Sequence, residues 1–148
     1  KGDEVLLCLA HCLNESVDPS CDFVGHIGGD DFLLVLTSTD WERRIEQLLQ
    51  EFHRRCRLFY RSEHLAAGCF IASSREGHEQ RYPLLALSIG AVRLRAQNIE
   101  QLDAGGLAAL ASDAKRQAKQ ESGSSLYLID SADLPAAGHK PSLTARAL

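Results

Sequence analysis

The tightest constraint on this chain is the pair Gly28-Gly29, set between an alternating apolar run (Phe23, Gly25, Ile27) and the β-prone run Phe32-Leu33-Leu34-Val35-Leu36. Adjacent glycines reach positive φ without steric cost, and a glycine pair between two such runs predicts a tight β-hairpin. The same stretch, His26-Ile27-Gly28-Gly29-Asp30-Asp31-Phe32, carries two neighbouring carboxylates. Adjacent acids repel each other. A hard cation such as Mg²⁺ offsets this by taking carboxylate oxygens while keeping positions open for phosphate. A loop without side chains also lets an anion or a sugar approach the backbone. One reading of the turn is therefore a nucleotide-metal site, and the other is an Asp-rich surface hairpin, since Gly and Asp are common turn residues.

The rest of the composition narrows the class. A length of 148 residues suits one domain with a core of its own. No run approaches the roughly 18 to 20 apolar residues that span a bilayer, and no signal peptide opens the chain, so no direct membrane insertion is expected. A net charge of −4 argues against binding a nucleic-acid polymer, which needs a basic stripe, and leaves a nucleotide carried with its metal open. The cysteines Cys8, Cys12, Cys21, Cys56 and Cys69 are scattered with no CxxC pair. That usage fits reduced thiols and a cytoplasmic location better than a disulfide framework or a structural zinc site. Cys8, His11 and Cys12 can meet on one helix, either as ligands or as small core residues. The chain starts at Lys1 and contains no Met, so it reads as a piece of a longer protein.

Taken in order, Leu6, Leu9, Ala10, Leu13 and Val17 recur at helical spacing, predicting an amphipathic helix to about Glu15 with Asp3 as its N-cap or first-turn acid. Pro19-Ser20 breaks it. Asp22 to Ile27 and Phe32 to Thr37 form the hairpin arms, the second an apolar run that predicts a strand covered on both faces in mid-sheet. Thr39-Asp40-Trp41-Glu42 has a capping-box pattern, followed by Trp41, Ile45, Leu48, Leu49, Phe52 and Cys56 on one face, so a second helix is expected over Asp40 to Arg57. Its basic end (His53, Arg54, Arg55, Arg57) complements the helix dipole. Leu58 to Arg81 reads as an inserted hairpin, strand-like over Leu65 to Ala72 and polar over Ser73 to Gln80. Leu84 to Val92 predicts a buried strand in which Gly90 marks a bulge or a close packing contact. After a loop from Asn98 to Gly106, Leu107, Leu110, Ala111, Ala114 and Ala118 give a third helix with a narrow Ala-rich face, ended by Gly123. Ser125 to Ile129 is a last short strand. Residues 1–129 then form the domain, and 130–148, rich in Ala, Pro, Ser and Gly, a flexible tail. This order is mixed α/β with neighbouring antiparallel strands and suggests a central sheet flanked by helices.

Four landmarks in this order resemble the GGDEF domain of bacterial diguanylate cyclases. Gly2-Asp3-Glu4-Val5-Leu6 is similar to the family's GD-x-x-L helix start, and Gly28 to Phe32 to its signature. Leu87-Ser88-Ile89-Gly90-Ala91 resembles its SIG strand, and Ala118-Lys119 the AK of its last helix. More narrowly, the Trp41 helix, the long insert and the Ala114-Lys115 to Ala118-Lys119 pattern are similar to GGDEF domains that follow EAL and CBS modules. The resemblance implies a polymerase-palm, ferredoxin-like α+β fold. It implies a homodimer whose subunits each hold one GTP and join the two into cyclic di-GMP with loss of pyrophosphate, aided by Mg²⁺ or Mn²⁺. It implies a metal-binding role for Asp30 and a catalytic one for Asp30 and Asp31, the latter standing where the family usually has Glu. It further implies nucleotide contacts from Gly28 and Gly29, a guanine contact from Asp3 and a terminal-phosphate contact from Lys119. Helix capping for Asp3 and simple solvation for Lys119 stay open beside these, although Lys115 and Lys119 repel at i,i+4 spacing and an anion between them would relieve that.

The departures from the family pattern point the other way. Asp31 is one methylene shorter than Glu, enough to harm a near-attack geometry. The Arg-x-x-Asp pattern of the family's inhibitory product site keeps only Asp22, with Pro19 in place of the arginine. His26 stands where an arginine is often found, and Gly123-Ser124-Ser125 replaces a Gly-Arg-Asn. The family's first strand and helix, with a further metal-binding aspartate and a guanine-binding asparagine, are expected ahead of Lys1. Two functions follow: a diguanylate cyclase, or a degenerate GGDEF domain that binds GTP or a partner surface and regulates an attached EAL phosphodiesterase domain.

Overall fold

The structure, a computed structural model, describes residues 2–73, 78–96, 102–133 and 145–146. It divides into two compact units, Lys1–Leu85 and Ala86–Leu148. The described strands form three small sheets beside the helices, an α+β arrangement in which no single central sheet joins them.

In the first unit, α1 (Gly2–Ser16) packs on α2 (Trp41–Cys56). The faces that meet follow from the 3.6-residue period: α1 buries Leu9, Cys12 and Leu13, and α2 buries Ile45, Leu48, Leu49, Phe52 and Cys56. Arg55 of α2 reaches Glu15 of α1 at 2.6 Å and also pairs with Glu51 one turn back. Arg54 beside it also bonds Glu51, at 2.6 Å. Asp40 is the N-cap residue of α2, but its side chain makes no cap hydrogen bond. The Asp40 carboxylate pairs instead with the guanidinium groups of Arg43 and Arg44.

In chain order the hairpin of β1 (Phe23–Gly28) and β2 (Asp31–Val35) connects these helices, antiparallel with Phe23 opposite Val35 and His26 opposite Phe32. β2 pairs only with β1 among the described residues, and Leu33 and Val35 are 45% and 49% exposed. The mid-sheet strand covered on both faces is therefore corrected: an apolar run reports that both faces carry apolar side chains, not that both are covered.

The hairpin's base is fixed by Asp22. Its side chain is inaccessible to solvent and accepts bonds from the Asp18 N–H (2.9 Å), the Thr37 N–H (2.9 Å) and the Arg44 guanidinium (2.7 Å). One carboxylate thereby joins the segment before β1, the segment after β2 and helix α2. The donated backbone hydrogen bonds of Asp18 and Thr37, with Arg44, hold the Asp22 carboxyl down to about 2.

The insert departs from expectation at its start. Ser62–Ala67 is a helix, α3, and Gly68 (φ 64) closes it by donating its N–H to the Leu65 carbonyl. Leu-Ala-Ala is a good helix former and a left-handed glycine is its usual stop, so local propensity overrode the strand-like apolar run. β3 (Cys69–Ser73) and β4 (Glu79–Pro83) then form the expected antiparallel hairpin, with Phe70 stacked on its opposite number Tyr82 at 5.3 Å. Of the polar turn read between them, residues 74–77 lie outside the described residues.

The second unit is built on β5 (Ser88–Arg93), α4 (Ala104–Ala118) and β6 (Ser125–Asp130), with β5 and β6 parallel and α4 packed on both. A parallel pair needs such a helical crossover. β5 starts later than the apolar run suggested: the Leu87 N–H bonds Ser124 Oγ, and the Leu87 carbonyl accepts the Ser125 N–H where the pairing with β6 begins. α4 starts earlier, since Asp103 caps it by accepting from the Gly106 N–H at 2.7 Å. The rest of the loop read before it, residues 98–101, lies outside the described residues. Gly90 is the close packing contact: a Cβ there would fall 2.1 Å from the Lys115 backbone nitrogen. Ala114 and Ala118 are fully buried against Tyr127 and Ile129, and Ser125 Oγ donates to the Ala118 carbonyl at the helix end (2.7 Å). Asp130 receives Arg95 at 2.7 and 3.1 Å, and Ser131 Oγ accepts from the Arg95 N–H. Within the stretch read as a tail, Ser131–Asp133 forms a 3-10 turn and β7 (Ala145–Arg146) pairs antiparallel with β6; residues 134–144 and 147–148 lie outside the described residues.

Two outcomes follow. Gly90→Ala is expected to lower stability by about 3 kcal/mol, because helix backbone cannot yield as a flexible side chain would; an unchanged urea midpoint would overturn the close approach. For Asp22 the folded carboxyl lies below its ordinary 3.8, so its contribution is complete above 3.8 and is lost as pH falls toward about 2. Asp22→Asn should lower Tm by about 5 °C at neutral pH and flatten the acid limb of the Tm-against-pH curve. Some slope should remain from Glu51, held at about 2 by Arg54 and Arg55, and from Asp130, held at about 2 by Arg95.

Candidate functional site

The hairpin turn lies one residue later than a turn centred on the two glycines. Gly28 is the last residue of β1, opposite Asp31, and the turn itself is Gly29-Asp30. The register slips between His26 and Gly28, which leaves Ile27 as the extra residue of a bulge. Gly28 (φ 152) and Gly29 (φ 58) both occupy backbone regions that L side chains rarely adopt. No atom lies within 4 Å of a Cβ placed on either. The glycines are thus required by backbone conformation, and the space over them is open.

Asp30 sits exposed in the turn, and Asp31, half-buried, is the first residue of β2. Two hard oxygen donors stand on consecutive residues of a fixed turn. Among the described residues no group of three or more His, Cys, Asp or Glu side chains is arranged to hold a metal ion. A pair of carboxylates still suits Mg²⁺, which is commonly held by one or two carboxylates together with substrate phosphates and water.

The other residues singled out from the sequence fall elsewhere. Asp3 lies exposed in the first turn of α1, where its charge favours the helix dipole. Lys119 is the C-cap residue of α4 in the second unit, exposed, its N–H bonded to the Lys115 carbonyl. The structure therefore brings Gly28, Gly29, Asp30 and Asp31 into one turn and places Asp3 and Lys119 on separate helices. Cys12 is buried, and burial pushes its thiol and that of Cys56 up to about 11. That suits core packing, since metal ligation needs the thiolate. A groove of about 390 Å³ lined by Glu15, Asp18, Arg43, Arg44 and Glu51 lies along α1 and α2, and its lining includes no turn residue.

Sequence reasoning missed His26 as a component of the turn. Its Nε2 lies 3.0 Å from the Gly29 carbonyl, and its ring stacks on Phe32 with centroids 4.5 Å apart and planes 20° apart. The available signal was positional: in a hairpin closed at Gly29-Asp30 with a one-residue bulge, residues 26 and 32 are opposite each other.

No helix among the described residues is long and apolar enough to cross a membrane. The chain matches no curated protein and no solved structure. The family model described as "Diguanylate cyclase, GGDEF domain" matches residues 1–86, a span that includes α1, the hairpin turn, α2 and the insert. With more than half of its length under that match, the chain belongs to the GGDEF family, whose members in general serve cyclic di-GMP signalling as diguanylate cyclases.

Proposed function

We propose that this domain binds GTP with Mg²⁺ or Mn²⁺ at the Gly28–Asp31 turn and, as a homodimer holding two such nucleotides face to face, joins them into cyclic di-GMP. The observation that carries this reading is the turn itself: two consecutive carboxylates beside a glycine backbone with open space above it. Asp30 and Asp31 would hold the metal, which when bound neutralises phosphate charge and favours loss of pyrophosphate. Gly28 and Gly29 would lie against the nucleotide. Asp3 would accept hydrogen bonds from the guanine edge, and Lys119 would meet the terminal phosphates as a point charge. The reaction is attack of each ribose 3′-hydroxyl on the other nucleotide's α-phosphate, so the protein's main task is to orient the two. Asp31 would assist hydroxyl deprotonation as acceptor of the proton.

A second reading is favoured by Asp31 itself, which stands where the family usually has Glu. In it the domain binds GTP and regulates EAL and CBS modules of a longer chain, with little or no turnover. Pro19, His26 and Gly123-Ser124-Ser125, in place of the family's basic residues, support it. In either reading the domain acts in the cytoplasm, without direct membrane insertion and without a nucleic-acid polymer as partner. The free cysteines support that location.

Calorimetry should show GTP·Mg²⁺ binding that Asp30→Ala reduces at least about tenfold; equal affinities would remove the metal site. Full-length protein incubated with GTP and Mg²⁺ separates the two readings by its cyclic di-GMP output. Asp31→Glu should raise that output by about 10- to 100-fold, the scale of a 1 Å correction in a reacting geometry. No product from either form at high protein concentration would leave the regulatory reading alone.

A further inference from the structure

We propose that His26 is a positioning residue that braces the Gly29-Asp30 turn and thereby sets how the Asp30 and Asp31 carboxylates are presented. This rests on reading the turn as the nucleotide site. The argument begins with the backbone. Gly28 at φ 152 and Gly29 at φ 58 adopt one conformation out of the many that glycine reaches at similar cost, so the turn sequence does not select its own geometry. Nothing lies within 4 Å of a Cβ placed on either glycine, so no packing over the Cα atoms holds them in place. Something outside the two glycines has to do so.

His26 does this with two contacts. A carbonyl oxygen only accepts, so the 3.0 Å contact between Nε2 and Gly29 requires the proton on Nε2, whether the ring is neutral or charged. That bond spans the bulge and fixes the orientation of the peptide immediately before Asp30. The second contact is the stack on Phe32, the residue opposite His26 in the register and the one that follows Asp31. The imidazole thus links the residue before Asp30 to the residue after Asp31. Rotation of the turn about its glycines breaks the hydrogen bond, and slippage of the register breaks the stack. A side chain in this place governs the carboxylate geometry without touching the ligand.

The test uses the whole chain and three forms: wild type, His26→Phe, which keeps a stacking ring and loses the donor, and His26→Gln, which keeps a donor and loses the ring. Ring nitrogen resonances of wild type should show Nε2 protonated, and backbone relaxation should show Gly29 and Asp30 as ordered as β1. In His26→Phe the order at Gly29 and Asp30 should fall, with thermal stability of the domain little changed, and GTP·Mg²⁺ affinity should drop about five- to tenfold, the worth of one hydrogen bond. His26→Gln should recover most of that affinity. An unprotonated Nε2 in wild type, or a His26→Phe form with unchanged order and affinity, would overturn the brace. A wild type with the protonated ring and ordered turn that binds no GTP·Mg²⁺ overturns the nucleotide reading instead, and tight binding without the brace overturns the brace alone.

Discussion

The carboxylate of Asp22 closes the open end of the β1–β2 hairpin, and what the turn presents at the other end depends on it. A two-stranded ribbon is marginal in water by itself, and here its flanks would be free to splay. Asp22 takes one backbone N–H from each flank, at Asp18 and Thr37, and a guanidinium from α2 at Arg44. Removing a carboxylate from solvent is costly unless its lone pairs are met, and here these donors, one of them charged, together with the Thr37 hydroxyl, meet them. The same satisfaction makes this acid unavailable to a ligand. In this chain its carboxylate is a structural tie.

In the second unit the governing constraint is distance rather than charge. The backbone of α4 approaches β5 so closely at Gly90 that even a methyl group has no place. This explains the composition around it: Ala114 and Ala118 on the helix, and a serine, Ser125, that takes up the Ala118 carbonyl as the helix ends. Small residues permit the approach, and buried hydrogen bonding fixes where the helix stops. The root of Lys119, one residue past that stop, is thereby held while its side chain stays in solvent.

The sequence revealed features whose cause is local. The helical period of α1 and α2 and the glycine turn with its two acids follow from residues within one turn or one strand. The errors share a different origin. Leu65 to Ala72 was ambiguous because a short apolar run has no decisive period, and Gly68 settled it in favour of a helix followed by a strand. The exposure of Leu33 and Val35 depends on what the hairpin packs against, which an apolar pattern does not encode. At the site, Asp30 and Asp31 were legible as chemistry, whereas His26 was visible only as a substitution. Its contacts come from a bulge that shifts the register by one residue. Asp22 likewise draws its partners from 4, 15 and 22 residues away, separations with no sequence period.

Rigidity at the turn bears on what the replacement of Glu by Asp does at position 31. A carboxylate on a mobile loop recovers a lost methylene by moving the backbone. Asp31 is the first residue of a paired strand, and the turn beside it is held at one end by the Asp22 tie and at the other by His26. The backbone therefore cannot follow, and the missing bond length stays missing. Binding and turnover respond differently to such a gap. A hard cation exchanges a carboxylate oxygen for water at modest cost, because its coordination is filled by whatever oxygen donors are present. An in-line attack has no comparable substitute, since its rate depends on the separation and alignment of the reacting atoms. In the site proposed at this turn, a braced backbone with a shortened acid would preserve metal and nucleotide affinity better than catalysis, which favours the second of the two proposed readings over the first.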